Sequence, residues 1–495
     1  MSEYILAIDQ GTTSSRVIIY NKQLKVITVA QQEVELIYPQ SGWVEQDPEQ
    51  LWQSVYHCIV NALKQAKLTA RNIAALAITN QRETTLLWHK QTGKTLYNAI
   101  VWQDRRTADT CHQLQQQGHL ADLQYRTGLR LDPYFSATKL AWILDTVPNA
   151  RNLANNSELC FGTVDSYLLW RLTAGKVHAT DATNASRTLL FNLHTLDWDP
   201  KLLDLFNIPS SLLAKIKDNA AEFGHTCPKL FGCSIPILAM IGDQQAALLG
   251  QACIKPGMAK STYGTGCFSM VNTGCKVLIS QQQLISTLAW QINAKPTYAL
   301  EGSIFMAGAI VQWLRDKLGI IQQAADTETL AKQVSYQQSE MLIPAFTGLG
   351  APYWQPVAQA AILGMTRNTG KAELAAAALL SVCYQSRDLV AAMAADGIEI
   401  DRLRVDGGMT SNNWFLQALA DISQQPLQQC HTTETSALGA AFLATLQLKY
   451  FKSLIDINQI WQANQSYHPK ISPDQAEQLY LRWQQNVYTI IKPLS

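Results

Sequence analysis

Residues 4–20 read YILAIDQGTTSSRVIIY. Two apolar runs, 5–8 and 16–20, are separated by an acid, a glycine and a string of hydroxyls. Short apolar runs flanking a Gly-containing break predict two strands joined by a tight turn. A carboxylate, a guanidinium and several hydroxyls are unusual contents for such a turn. Gly11 is expected to reach a backbone conformation that costs other residues more. Its missing side chain would also leave the amides of Thr12 and Thr13 open to an anion. Thr12, Thr13 and Ser14 add hydroxyl donors, and Arg16 supplies charge suited to a polyphosphate. Asp9 alone would repel that phosphate, and fits if a magnesium ion or its water lies between them.

Outward from this turn, KVITVAQQEVEL continues the meander as a third strand. In DPEQLWQSVYHCIVNALKQA, Asp47 can cap and Pro48 can occupy the first helical position. Leu51, Val55, Ile59 and Leu63 then recur at helical spacing. IAALAITN follows as a strand. Three strands, a helix and a strand are not the opening of a dinucleotide-binding fold. Residues 81–236 carry mixed elements and read as insertions around the first domain. IPILAMIGDQQAALLGQA is a strand, a Gly-Asp turn and a helix start. GMAKSTYGTGCFSMVNTG repeats the N-terminal theme of strand, Gly/Thr turn and strand. IDRLRVDGGMTSNNWFLQALADI is again strand, glycine turn and helix. The shared punctuation predicts two related α/β domains that meet near residues 249–256.

The 495 residues suffice for two or three cores. Lysine plus arginine nearly balance the acids, for a net charge of +1, so no field of one sign points to nucleic acid. The ten cysteines form no CxxC pair and no zinc spacing. The start lacks the pattern of a signal peptide, and no apolar run has the length of a membrane span. A cytoplasmic protein is expected.

Three turns of one kind, at 11–14, 263–266 (Tyr263, Gly264, Thr265, Gly266) and 406–408 (Asp406, Gly407, Gly408), suggest a nucleotide held between two domains. One such turn alone would read as an ordinary hairpin. No GxxxxGK[ST] run is present, which argues against a P-loop enzyme. For an acceptor, ITNQRET places Arg82 and Glu83 just past a strand. A guanidinium that donates beside a carboxylate that accepts suits neighbouring hydroxyls, although a surface ion pair has the same spelling. Trp102 in IVWQDRR and Tyr134 in DPYFSATK could cover the carbon edge of a polyol, or fill a core. Asp243, at a strand end after Gly242, is the candidate general base, and Gln244 can bond a hydroxyl. A helix cap is the plain alternative for Asp243.

Together DQGTTSSR, AITNQRET, NAIVWQDRR, FGTVDSYLLW, TNASRT, GDQQAAL, KSTYGTGCF, PAFTGLGAPYW and RVDGGMTSNN resemble the FGGY family of carbohydrate kinases, and within it the members that phosphorylate glycerol. The resemblance runs from about residue 4 to 445 or beyond. It implies an actin-like, ribonuclease-H-like fold of two α/β domains around a cleft. Residues 1–249 would form an N-terminal domain with acceptor-binding insertions, and residues 250–495 a C-terminal domain contributing nucleotide binding. The implied reaction is ATP plus glycerol giving ADP and sn-glycerol 3-phosphate, with magnesium as cofactor, in a homo-oligomer (dimer or tetramer). Carried over by motif, Arg82, Glu83, Tyr134, Asp243 and Gln244 would touch glycerol, with Trp102 and Phe268 as the apolar wall. Asp243 would be the base, and Asp9 and Asp243 would bear on the metal, the latter through water. Thr12, Thr13, Ser14, Arg16, Thr265, Gly308, Gln312, Gly408 and Asn412 would hold the nucleotide. PKLFGCSIP departs from a glycine- and arginine-containing loop that some bacterial relatives link to inhibition by fructose 1,6-bisphosphate. Ser234 stands near the place of that arginine, so loss of this inhibition is expected.

Overall fold

The computed structural model describes residues 3–491. The opening meander forms β1 (Tyr4–Gln10), β2 (Ser14–Tyr20) and β3 (Val26–Glu33). Helix α1 (Pro48–Gln65) follows, with Asp47 accepting from the Glu49 amide and Pro48 in its first turn. Its buried stripe of Leu51, Val55, Ile59 and Leu63 packs on the outward faces of β1, β2 and β4 (Ile73–Asn80). Burial of such an apolar face contributes roughly 25 cal/mol per Å², and holds the helix that local propensity alone would leave marginal. β5 (Ala220–His225) and β6 (Pro236–Gly242) complete a six-stranded sheet in the order β5-β6-β4-β1-β2-β3. Residues 220–236 are therefore not insertion. They supply the edge strand β5 and the start of β6, because β5 pairs with β6 and so shields it.

β6 runs into α2 (Asp243–Gly250). The second half then builds β7 (Met258–Tyr263), β8 (Cys267–Gly274), β9 (Ile285–Ile292), β10 (Lys295–Ile304), α3 (Gly308–Asp316), α4 (Lys371–Ala395), β11 (Arg402–Asp406), α5 (Asn413–Ser423), β12 (Leu427–Cys430), α6 (Thr435–Gln447) and β13 (Ala463–Tyr467). Its seven-stranded sheet has the order β9-β10-β8-β7-β11-β12-β13. Read from β5 and from β13, the two sheets share one sequence of pairings: antiparallel, parallel, parallel, antiparallel, antiparallel. The hairpin β1–β2 thus has its counterpart in β7–β8. The molecule is a two-domain α/β fold whose halves repeat one topology.

Helices α2 and α6 lie between the sheets, and their alanine and leucine faces pack with residues of β1, β4, β6, β8 and β10 in one core. They approach backbone to backbone. A Cβ on Gly250 would sit 2.0 Å from the Thr435 carbonyl oxygen, and one on Gly439 would sit 2.0 Å from that of Ala246. No side chain fits at either point.

Gly11 departs from expectation. It is absent from the residues with positive φ. Its amide donates to the Ser14 carbonyl at 2.9 Å, and a Cβ there would meet the same oxygen at 3.3 Å. Close approach, not left-handed backbone, explains the glycine. Gly407, with φ of 93° and a Cβ that would lie 2.5 Å from the Tyr263 oxygen, meets both demands.

The glycine crossing can be tested. Gly439→Ala is expected to cost about 1–3 kcal/mol or more, because the α2 backbone must move away. Urea unfolding of the variant beside the parent checks this, and an unchanged midpoint would show that the crossing is loose.

Candidate active site

Strand ends deliver the polar groups. Arg82 and Glu83 follow β4, Gln244 and Asp243 open α2, and Glu301 lies within β10. Gly242 is what lets Arg82 lie flat, since a Cβ there would come 2.8 Å from its Cδ. Arg82 Nη1 donates to Glu301 Oε2 at 2.5 Å and to Gln245 Oε1 at 3.2 Å. Its Nη2 donates to Glu301 Oε1 at 3.3 Å, and Nε stands 3.1 Å from Asp243 Oδ1. Of the five N–H bonds of a guanidinium, three are donated in hydrogen bonds among the described residues, which leaves one on Nη2 and the one on Nε. Arg82 and Glu83 are no surface pair. Both are buried, and their nearest charged atoms are 4.0 Å apart.

Glu83 instead accepts from Arg187 Nε at 2.5 Å through Oε1, and its Oε2 makes no protein hydrogen bond. Its φ of 63° is strained for a residue with a side chain. The Ser136 and Thr85 hydroxyls hold its carbonyl at 2.9 and 3.0 Å. Arg187 Nη2 donates to Glu301 Oε1 at 2.8 Å. Glu301, from the second half, thus clamps two arginines of the first. Burial opposes the ionisation of Glu301, but Arg187 and Arg82 outweigh it and hold its carboxyl down to about 2. Asp243 and Glu83 are raised by burial, with Arg82 opposing the first and Arg187 and Arg82 the second.

Asp243 is the first residue of α2, with Gly242 preceding it as the cap. Its Oδ1 accepts from the Gln244 amide at 2.7 Å and lies 3.1 Å from Arg82 Nε as an ion pair. Oδ2 has no hydrogen-bond partner among the described residues. Thr183 Oγ1 accepts the Gly242 amide at 2.9 Å and so fixes the strand end that carries Asp243. The aromatic residues form an edge-to-face set: Trp102 lies 5.5 Å from Tyr134 and 6.0 Å from Phe268 between ring centroids. Arg82, Glu83, Trp102, Tyr134, Asp243, Gln244 and Phe268 therefore lie in one cluster, with Phe268 contributed by the second half.

The remaining candidates divide. Thr12 is tied to the acceptor side, because the Trp102 indole donates to its hydroxyl at 2.8 Å. Thr13 and Ser14 stay on the hairpin turn. Arg16 is paired with Glu434 at 2.8 Å across the halves. The second turn is locked to α3: Gly308 donates to the Gly264 carbonyl at 2.8 Å, and Ala307 and Ala309 donate to that of Thr265 at 3.0 Å. Gly408 opens the turn beside it, and a Cβ on Gly308 would reach Met409 at 3.8 Å. Gln312 is exposed on α3. The Asn412 side chain caps α5 through the Phe415 amide at 2.9 Å and touches Thr327 at 3.3 Å. Asp9, opposite Arg16 in the hairpin, makes no protein hydrogen bond through its carboxylate. Burial and the Asp243 charge push it up to about 7, against the pull of Arg16.

Arg187, Glu301 and Lys260 were not singled out from the sequence. Each is a lone charge inside an apolar or small-residue run (NASRTLLF, YALEGSIF, GMAKSTYG), and that isolation was the available signal.

The family model for the N-terminal domain of the FGGY family of carbohydrate kinases matches residues 4–250, and that for its C-terminal domain matches residues 259–448. A glycerol kinase of Coxiella burnetii (strain Dugway 5J108-111) is 54% identical over 494 residues, spanning 100% of this chain and 99% of that protein. A glycerol kinase of Ectopseudomonas mendocina (strain ymp) is 55% identical over 484 residues, 98% of either chain. The crystal structure of Plasmodium falciparum glycerol kinase with ADP superposes with a TM-score of 0.93 at 36% identity, covering 99% of both chains.

Glu301→Gln removes one partner of a buried ion cluster, and is expected to cost about 3–5 kcal/mol. The sign with pH follows from a folded pKa that the two arginines hold below the ordinary glutamate value of 4.5. The stability contributed by Glu301 is present above that value and is lost as pH falls toward about 2. Denaturation of parent and variant between pH 3 and 7 should show a gap that narrows on acidification. A gap independent of pH would refute the clamp.

Proposed function

The chain belongs to the FGGY family of carbohydrate kinases, and on that premise we propose that it transfers the γ-phosphoryl group of ATP to a terminal hydroxyl of glycerol, giving ADP and sn-glycerol 3-phosphate. The full-length likeness to glycerol kinases carries this reading. The pocket supports it. Crowding by Trp102, Tyr134 and Phe268 favours a short polyol. Among the described residues the free polar groups include one Arg82 Nη2 hydrogen, Glu83 Oε2, Asp243 Oδ2 and Gln244 Nε2, a mixture of donors and acceptors for neighbouring hydroxyls.

Asp243 acts as the general base in this reading. The Gln244 amide donates to Oδ1, beside the Arg82 charge, so Oδ2 faces the incoming hydroxyl and takes its proton. The substrate oxygen forms its bond to the γ-phosphorus as the bond to the β-γ bridging oxygen breaks, and ADP leaves with that electron pair. A carboxylate whose pKa is raised by burial is a better base near neutrality than an exposed one. Phosphoryl transfer otherwise needs positioning and charge stabilisation, which the turns at 11–14 and 264–266 offer through their amides and hydroxyls.

Magnesium fits the residues present. Asp9 makes no carboxylate hydrogen bond among the described residues; burial first, and then the Asp243 charge, favour its protonated form, and a divalent cation would relieve the repulsion between the two carboxylates. Magnesium is commonly held by one or two carboxylates together with substrate phosphates and water, and no group of three or more protein ligands occurs among the described residues. When bound, the ion would neutralise charge on the transferring phosphates.

Two outcomes are expected. Purified protein should release ADP faster with glycerol than with erythritol, xylitol or xylulose, and turnover without any polyol would point instead to an ATPase. Asp243→Asn should lower kcat by about 100- to 10,000-fold while the unfolding midpoint stays near that of the parent; near-normal turnover would remove Asp243 as the base.

A further inference from the structure

Lys260 projects from β7 and is fully buried. Its Nζ donates to Gln244 Oε1, to Thr262 Oγ1 at 3.1 Å and to the Phe268 carbonyl at 3.2 Å. All three acceptors are neutral. An ammonium has three hydrogens and no lone pair, so these contacts exhaust it. The orientation of a glutamine amide is ordinarily assigned rather than seen. Here the ammonium decides it, since an NH2 group turned toward Lys260 would set hydrogens against hydrogens. Gln244 Nε2 therefore points away from Lys260. It has no protein partner among the described residues, and Gln244 is partly exposed.

We propose that Lys260 is a positioning residue that sets the specificity of the acceptor pocket: by holding Gln244 Oε1 it obliges Gln244 to donate, so the pocket selects a substrate oxygen that accepts at that point. This rests on the reading that the pocket takes glycerol. A site built to bond a hydroxyl rejects an analogue lacking it, because its own polar group is left unpaired. The same ammonium grips the Phe268 carbonyl, and the Phe268 ring stands 6.0 Å from Trp102. One charge from the second half thus fixes a polar contact carried by the first half.

The test is steady-state kinetics of the full chain. In Lys260→Met the amide is free to turn. The KM for glycerol should rise about tenfold or more, while kcat and the KM for ATP stay within about threefold. Discrimination of glycerol from propane-1,2-diol or propane-1,3-diol should shrink for the diol that lacks the hydroxyl facing Gln244. In a Q244A background, K260M should add nothing to the glycerol KM, because Lys260 acts through Gln244. Multiplying effects in the double variant, an unchanged glycerol KM, or an equal rise in the KM for ATP would each overturn the proposal. Should Lys260→Met fail to fold, Q244E keeps the lysine and satisfies it, but offers no N–H to the substrate. It should raise the glycerol KM about tenfold, and a parental KM would show that Gln244 accepts rather than donates. The substrate reading fails separately: parent protein preferring a longer polyol refutes glycerol, whereas the coupling of Lys260 to Gln244 is measured on whichever polyol is turned over.

Discussion

Glu301 accepts from the guanidiniums of both Arg82 and Arg187, each of which also faces a carboxylate of its own half, and the cluster of candidate acceptor residues is organised around that contact. Arg82, Arg187 and Lys260 bring three positive charges into the interior, and Glu83, Asp243 and Glu301 bring three negative ones. Taking such ions out of water costs several kcal/mol each, and only close geometry with saturated hydrogen bonds offsets it. An apolar cluster of equal volume would often be no less stable. What it would not do is hold Arg82 by both faces, with Asp243 on Nε and Glu301 on the Nη atoms. The cluster is better understood as a device for orientation than as a source of stability.

Most hydrogen-bonding groups of the cluster are spent on protein partners, although Arg187 Nη1 is buried without one among the described residues. At Asp243 the Gln244 amide donates to Oδ1 and Arg82 Nε lies 3.1 Å from the same atom, so the two oxygens of one carboxylate become inequivalent. The strained backbone at Glu83 has a similar reading. Two hydroxyls hold its carbonyl, which turns the side chain toward Arg187 and not toward its sequence neighbour. Nearby, the Trp102 indole donates to the Thr12 hydroxyl, so the aromatic set and the first glycine turn share an atom-to-atom contact.

Elements that rest on local signals could be read from the chain. The hairpin at 4–20, helix α1 with Asp47 and Pro48, strand β4 and the strand–turn–helix units ending in Asp243 and Asn412 all depend on periodicity, caps and glycine punctuation. The residues that cluster around Arg82 and Asp243 were named from the motifs too, though more by resemblance than by spacing. What escaped was non-local. Glu83 finds Arg187 at a separation of 104 residues, and Arg82 finds Glu301 at 219. A lone charge in an apolar run announces that a partner exists without saying where. β5 was missed for a related reason: its register with β6 is irregular, and its pattern of burial has no clean alternation. Gly11 was misjudged because a glycine required for close approach has the same spelling as one required for positive φ.

The bare crossing of α2 and α6 works as a fulcrum. With main chain touching main chain at Gly250 and Gly439, the halves have almost no freedom to slide, and swivelling is the motion left to them. In any swivel, displacement grows with distance from the axle. Groups at the root of α2, Asp243 among them, sit near it and would travel least. The outer lips of the cleft would sweep the widest arc. A molecule geared in this way can gape to exchange a large ligand while the seat for the small one stays assembled.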